Sequence, residues 1–154
     1  MTVVAPVLTA ALAVGCGSSS SRLTAGQLVQ RASAICLAAG HPYAGQRPTD
    51  PAGFLDFLRA QLPAQDTGVK ALQALRPPAS AEKVWQAQIV TAEREQLADT
   101  RAAVDQLQKL LGQHDQGRAS ALVLQTTDRL DARGVGINQY WTSSGTTSCL
   151  DSPL

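Results

Sequence analysis

Residues 80–112 read SAEKVWQAQIVTAEREQLADTRAAVDQLQKLLG and form the longest regular pattern of apolar residues in the chain. Its apolar side chains recur every three or four residues, the spacing that places them on one face of an α-helix. Ser80 precedes the stretch as a candidate N-cap, and Gly112 closes it. The pattern therefore predicts one long amphipathic helix over residues 81–112 and, with it, an α-helical protein.

Capping signals predict three further helices. Thr24 and Gln27 have the spacing of a capping box, in which each residue satisfies a free amide at a helix start. Asp50 followed by Pro51 is typical of another helix start, because proline fits the first helical position. The predicted helices cover residues 24–39, 51–75 and 116–133.

The ends of these helices and the lengths of their connections predict the topology. Pro63 interrupts the second helix with a kink, and Gly134 and Gly136 end the last helix, leaving an irregular C-terminal tail. Short connections make neighbouring helices antiparallel. We therefore expect an all-α, four-helix, up-down bundle within a single domain over residues 24–154.

Length and composition limit the classes of function that the chain can have. The chain has 154 residues, a formal net charge of +1 and 4% aromatic residues. A nucleic-acid binder normally shows a concentrated basic surface or a set of stacking aromatics, and neither is present here. We therefore expect no nucleic-acid partner.

The first residues differ in character from the rest of the chain. Residues 1–15 are uncharged and mostly apolar, and Cys16 is followed by the sequence GSSSS. The apolar run is too short to cross a bilayer, but it fits a signal peptide with small residues before its cleavage point. Residues 16–23 then form a flexible tether. The alternative is an apolar N-terminal helix of a cytosolic protein.

Short motifs carry a resemblance to a known group. Ala13-Val14-Gly15-Cys16 resembles the lipobox of bacterial lipoproteins. Together with the Ser run, Ala34-Ile35-Cys36, Leu75-Arg76-Pro77-Pro78 and a late cysteine, it makes the chain similar to small helical lipoproteins of high-GC Gram-positive bacteria. The resemblance implies that Cys16 is diacylated, becomes the new N-terminus and holds the domain on the outer face of the cytoplasmic membrane. It implies no specific activity.

The cysteine count favours a disulfide. The chain has three cysteines, and an odd number leaves one of them without a disulfide partner in an exported protein. If Cys16 carries lipid, Cys36 and Cys149 remain, and two thiols in an oxidising compartment tend to pair. The alternative is two unpaired cysteines that fill the core as small apolar residues.

Catalytic signatures are missing from the sequence. It contains no phosphate loop, dinucleotide fingerprint, GxSxG or HExxH motif, so we expect neither an enzyme nor a bound cofactor. The acidic residues of the long helix alternate with basic ones, which indicates an ordinary solvated face. These acidic residues are Glu82, Glu93, Glu95 and Asp99.

One cluster is compatible with a metal ion. In the antiparallel bundle, His41, Asp50, His114 and Asp115 all lie in turns at the same end. Two imidazoles and two carboxylates suit Zn²⁺ if they converge on one point. The simpler interpretation is that both aspartates cap helices and both histidines are solvated, so we expect no metal site.

These observations favour a non-catalytic, membrane-attached module that contacts another envelope protein. A second hypothesis is a binding protein that holds a small apolar ligand near Pro63, with Ala92 and Ala103 lining the cavity. A third is metal binding at the histidine end. Tyr140 and Trp141 in the predicted tail either cover a groove between helices or form an exposed contact for a partner.

Overall fold

The computed structural model describes residues 21–40 and 47–150, and within these ranges the chain is helical and contains no strand. The predicted signal peptide, Cys16 and His41 lie outside the described residues. Helix α1 spans Ala25–Gly40, α2 spans Pro51–Ala74 and α4 spans Gln116–Ser144. Helix α3 covers residues 82–112 in three consecutive pieces, Glu82–Trp85, a π-helical turn Gln86–Val90, and Thr91–Gly112. The predicted all-α bundle is confirmed.

Contacts between neighbouring helices define an antiparallel bundle. The Leu23 amide, just before α1, donates to the Arg76 carbonyl just after α2 at 2.7 Å. Arg101 of α3 pairs with Asp66 of α2 at 2.6 Å. Arg133 of α4 reaches back to both Glu95 and Asp99 of α3. Neighbouring helices therefore run in opposite directions, and the chain passes up, down, up and down through the bundle.

Side-chain caps stand at the starts of α1 and α2, as the sequence predicts. The Thr24 amide donates to Gln27 Oε1 at 2.9 Å, and the Gln27 amide donates to Thr24 Oγ1 at 3.3 Å. Asp50 Oδ1 accepts from the Gly53 amide at 2.7 Å. The prediction that Ser80 caps α3 is wrong, because Ala81 occupies the cap position without a side-chain hydrogen bond. Helix α2 continues through Pro63, and the kink there stays a prediction.

The predicted end of the last helix is also wrong. Helix α4 passes through Gly134 and Gly136 and ends at Ser144, so most of the expected irregular tail is helical. Ile137 and Trp141 continue its apolar stripe into the core, and this packing outweighs the glycine preference for other conformations. Gly145 caps the end of the helix, and its φ of 76° allows the Thr146 amide to donate to the Trp141 carbonyl.

The C-terminal end of α4 predicts opposite effects on stability for two glycine substitutions. Gly145→Ala is expected to lower the free energy of unfolding by about 1 kcal/mol, because alanine is strained at positive φ. Gly134→Ala is expected to raise it by about 0.5–1 kcal/mol, because a Cβ there meets no atom and alanine favours the helix. Urea unfolding followed by circular dichroism measures both. A stabilised Gly145→Ala variant would contradict this helix boundary.

Most of the buried apolar residues form two clusters at opposite ends of the bundle. The disulfide cluster includes the buried apolar side chains of α1, and it packs them against the start of α3 and the end of α4. The distal cluster joins α2, the second half of α3 and the start of α4 without α1. The disulfide cluster contains Trp85, Ile89 and Trp141, and the distal cluster contains Phe54, Leu58 and Leu107.

Candidate functional site

A disulfide joins Cys36 of α1 to Cys149, with a Cα–Cα distance of 5.1 Å and a sequence separation of 113. Both cysteines are buried. The bridge confirms the predicted pairing. The irregular tail that the sequence predicts before Cys149 is short, since α4 ends at Ser144 and a 3₁₀ turn, Thr147–Cys149, follows. The bridge thereby ties the end of the last helix directly to the first.

A layer of buried polar side chains separates the two apolar clusters on α2 and α3. Gln61 and Gln65 follow Leu58 along the inner face of α2, and Glu93 and Thr100 lie between Ile89 and Leu107 on α3. Thr100 Oγ1 donates to the Gln96 carbonyl at 3.0 Å. We call this set the polar layer; its members are Gln61, Gln65, Glu93, Gln96 and Thr100.

Glu93 is the titratable member of the polar layer. It is 2% exposed, and burial raises its pKa to about 8, because removing a carboxylate from water disfavours the charged form. Glu93 therefore carries its proton at pH 7. Its Oε2 atom, Gln61 Nε2 and Gln65 Oε1 have no hydrogen-bond partner in the described part of the chain. A buried neutral acid with this pKa is a common feature of functional sites.

The expectation that Glu93 lies on a solvated face is therefore wrong, and the π-helical turn explains why. The Thr91 amide donates to the Gln86 carbonyl, five residues back, so this turn holds one residue more than an α-helical turn. The extra residue shifts the inward-facing positions by one, which buries Glu93 and leaves Ala92 only half-buried. The other acids are paired at the surface, Glu82 with Arg22 at 2.7 Å and Asp99 with Arg129 at 3.6 Å.

The candidate metal ligands that the structure describes act as helix caps or lie in solvent. Asp115 Oδ1 accepts from the Arg118 amide at 3.1 Å, and Asp50 caps α2 in the same way. His114 is exposed in the turn before α4, with a φ of 57°. Within residues 21–40 and 47–150, no three potential ligands among His, Cys, Asp and Glu come together.

Surface clefts accompany these buried features, among them two of different size. The larger, the distal cleft, has a volume of about 720 Å³ and lies between the end of α3 and the start of α4. Its lining is mixed, with Lys109, Leu110 and Gln113 on one side and Arg118, Leu122 and Gln125 on the other. A second cleft of about 390 Å³ lies beside Pro63, but residues of α1 and α2 line it rather than the predicted Ala92 and Ala103.

An apolar cavity of about 180 Å³ lies at the disulfide end, where α1, α3 and α4 meet. Trp85, Tyr140 and Trp141 line it with their rings edge to face, and the ring centres of Trp85 and Trp141 are 5.9 Å apart. Trp141 is buried and Tyr140 is half-buried, so both cover the gap between helices, as one sequence hypothesis held. We call this the aromatic cavity. The sequence pattern missed it, because it depends on α4 continuing past Gly136.

None of the described helices is both long enough and apolar enough to cross a membrane. No family model, no curated protein and no solved structure matches the chain.

Proposed function

We propose that the protein is an extracytoplasmic lipoprotein, tethered by lipid on Cys16 to the outer face of the cytoplasmic membrane. Its helical domain is a non-catalytic interaction module for another envelope protein. The observation that supports this is the buried Cys36–Cys149 disulfide. Such bonds persist in oxidising compartments and are rare in the cytosol. The bridge uses two of the three cysteines and leaves Cys16 for lipid, and two acyl chains provide a stable anchor.

The geometry of the bundle favours the distal cleft as the contact surface. The tether enters the domain at Arg22, which pairs with Glu82 at the start of α3. Residues 82–112 span about 45 Å at the helical rise, so the distal cleft lies far from the anchor. Lys109 and Arg118 on its rim suit a polar or acidic segment of a partner protein.

To test this proposal, the full chain is expressed in a bacterial host that processes lipoproteins. A photoreactive amino acid replaces Gln113. We expect an intact mass that corresponds to cleavage before Cys16 plus added acyl chains, with two thiols blocked until reduction. Illumination of whole cells is expected to give one discrete adduct with an envelope protein. The charge-reversed variant Lys109→Glu/Arg118→Glu is expected to lose most of that adduct.

Two control variants separate the tether from the cleft. Cys16→Ala is expected to leave the chain uncleaved and without lipid. Lys83→Glu/Arg94→Glu makes the same change in net charge on exposed residues nearer the tether, and it is expected to keep the adduct. An uncleaved wild-type chain would refute the lipoprotein proposal. A processed chain that forms no adduct, or equal adduct in both charge-reversed variants, would refute the distal cleft as the contact surface.

The aromatic cavity supports a second candidate function, the binding of a small apolar ligand. Ligand sites are typically concave and apolar, with a few polar groups that fix orientation. The aromatic cavity has this character, because Leu28, Ala32 and Pro78 line it together with the three aromatic rings.

A further inference from the structure

A further cleft lies between α3 and α4, beside the π-helical turn. Its volume is about 380 Å³. On α4 its lining runs from Arg133 to Ser143, which is about 15 Å at the helical rise, with Gly136 between them. Gln88 of the π-helical turn and Ala92 line the α3 side. We call this the Gly136 cleft. Turns of the π-helical kind occur frequently at functional sites.

No close neighbour in the described part of the chain requires Gly136 to be glycine. It is exposed within α4, its φ is not positive, and a Cβ added there meets no atom within 4 Å. Glycine destabilises a helix interior relative to alanine, so its presence here needs another reason. Ala92 on the opposite side of the cleft is also small. Two small residues leave the cleft open, and a glycine allows a bound molecule to approach the backbone closely.

Tyr140 gives the Gly136 cleft a fixed aromatic ring. It is half-buried, and its ring centre lies 6.1 Å from that of Trp85 and 5.2 Å from that of Trp141, edge to face in both cases. Burial raises the pKa of Tyr140, so its phenol is neutral at pH 7. Ile137 adds apolar surface to the same lining. A ring held by its neighbours in this way offers a contact surface at little cost in entropy.

The charged groups at the Gly136 cleft balance one another. Arg133 lines the cleft, and its guanidinium pairs with both Glu95 and Asp99. Arg129 pairs with Asp99 as well, at 3.6 Å. Two guanidinium groups therefore face two carboxylates, and this balance favours a ligand without a net charge.

The uncharged polar groups of the Gly136 cleft suit a ligand that carries hydroxyl groups. Gln88 and Gln139 are exposed, one on each side, and a primary amide both donates and accepts hydrogen bonds, as a hydroxyl group does. A sugar ring has hydroxyl groups around its edge and apolar C–H groups on its faces, which can pack against an aromatic ring. At the packing density of protein interiors, ~0.74, a volume of about 380 Å³ holds roughly 20 non-hydrogen atoms, close to the size of a disaccharide.

We propose that the Gly136 cleft binds a neutral sugar, with one sugar ring packed against Tyr140 and its hydroxyl groups bonded to Gln88 and Gln139. The site is separate from the distal cleft. Tyr140 also lines the aromatic cavity, but the sugar lies on the α3–α4 surface and not among the buried rings. The proposal goes beyond the interaction module, because it assigns a carbohydrate site to the domain itself.

The test labels the full chain with 3-fluorotyrosine and titrates it with four neutral disaccharides, cellobiose, maltose, mannobiose and N,N′-diacetylchitobiose. The chain has two tyrosines and so gives two ¹⁹F signals, which Tyr140→Phe assigns. We expect at least one disaccharide to shift the Tyr140 signal saturably, with a Kd of about 1 mM or lower. No saturable shift with any of the four at concentrations up to about 20 mM would overturn the proposal.

A matched pair of leucine substitutions locates the bound sugar. Gly136→Leu fills the cleft and is expected to weaken binding at least tenfold, while leucine itself favours the helix. Gly117→Leu makes the same change at an exposed position at the other end of α4, where a Cβ also meets no atom, and is expected to leave the Kd unchanged. Gly136→Ala adds only a methyl group and is expected to weaken binding by a smaller factor without loss of folding. Equal affinity of the wild-type and Gly136→Leu chains would overturn the assignment to this cleft.

The tetrasaccharide of the disaccharide that binds identifies the source of the sugar. Tighter binding of the tetrasaccharide would indicate one unit of a glycan chain, and equal or weaker binding would indicate a free sugar. Both results support the proposed site.

Discussion

Replacing Cys36 and Cys149 together with alanine is expected to lower the free energy of unfolding by about 5 kcal/mol. The bridge closes a loop with a sequence separation of 113, and on the chain-entropy model a loop of this length restricts the unfolded chain by about that amount. Because the whole stability of such a domain is about 5–15 kcal/mol, the loss is a large fraction. Alanine is the suitable replacement, since both sulfurs are buried and a polar side chain there would add a separate cost.

Urea unfolding of the oxidised wild-type chain and of the double variant measures this difference. Reduction of the wild-type chain is expected to produce a similar loss, because it opens the same loop. Cys16→Ala is the matched control, since it removes a cysteine that is not part of the bridge, and we expect it to leave the stability of the bundle unchanged. A double variant within 1 kcal/mol of the wild type would show that the bridge does not stabilise the fold through loop closure.

The features that the sequence predicted depend on a few neighbouring residues. The Thr24–Gln27 box, the Asp50 cap and the Asp115 cap each require a side chain to reach an amide three residues away. Such contacts are set by local geometry and do not need the rest of the fold. The disulfide could be predicted for another reason, since the three cysteines leave one possible pairing once Cys16 is assigned to lipid.

The features that the sequence did not predict depend on distant contacts. Gly134 and Gly136 suggest a helix end, but burial of Ile137 and Trp141 against α1 and α3 outweighs the propensity cost of about 1 kcal/mol for each glycine. The aromatic cavity follows from this continuation, because it brings Tyr140 and Trp141 to Trp85. Local propensity does not contain this information.

The polar layer was missed because one turn changes the helical period. Ala92 and Glu93 stand three and four residues after Ile89, and either spacing allows an inward position in a regular α-helix. The π-helical turn at Gln86–Val90 turns Glu93 into the core. The sequence still carried one signal, since Glu93 stands four residues after Ile89 and three before Gln96. Both are helical spacings, but the charge of glutamate argued against an inward position.

Replacing Glu93 with glutamine is expected to stabilise the protein at pH 7, by on the order of 3 kcal/mol. Burial raises the pKa of Glu93 to about 8 in the folded protein, against 4.5 for an ordinary glutamate. At pH 7 the unfolded chain therefore gains free energy by releasing a proton that the folded protein retains. Glutamine has nearly the same shape and is neutral in both states, so the variant loses this penalty while keeping a polar group in the layer.

The dependence on pH distinguishes this cause from a general change in packing. Below pH 4.5 both states hold the proton, so wild type and Glu93→Gln are expected to differ little. Between pH 4.5 and 8 the wild type loses about 1.4 kcal/mol of stability per pH unit relative to the variant, and above pH 8 the difference stays constant. Urea unfolding at pH 5, 7 and 8.5 measures how the stability difference changes with pH.

Glu95→Gln, on the surface beside Arg133, is the matched control and is expected to change stability by less than about 1 kcal/mol. A difference between wild type and Glu93→Gln that is independent of pH would mean that Glu93 is ionised in the folded protein, and that the polar layer contains a compensated charge rather than a neutral acid.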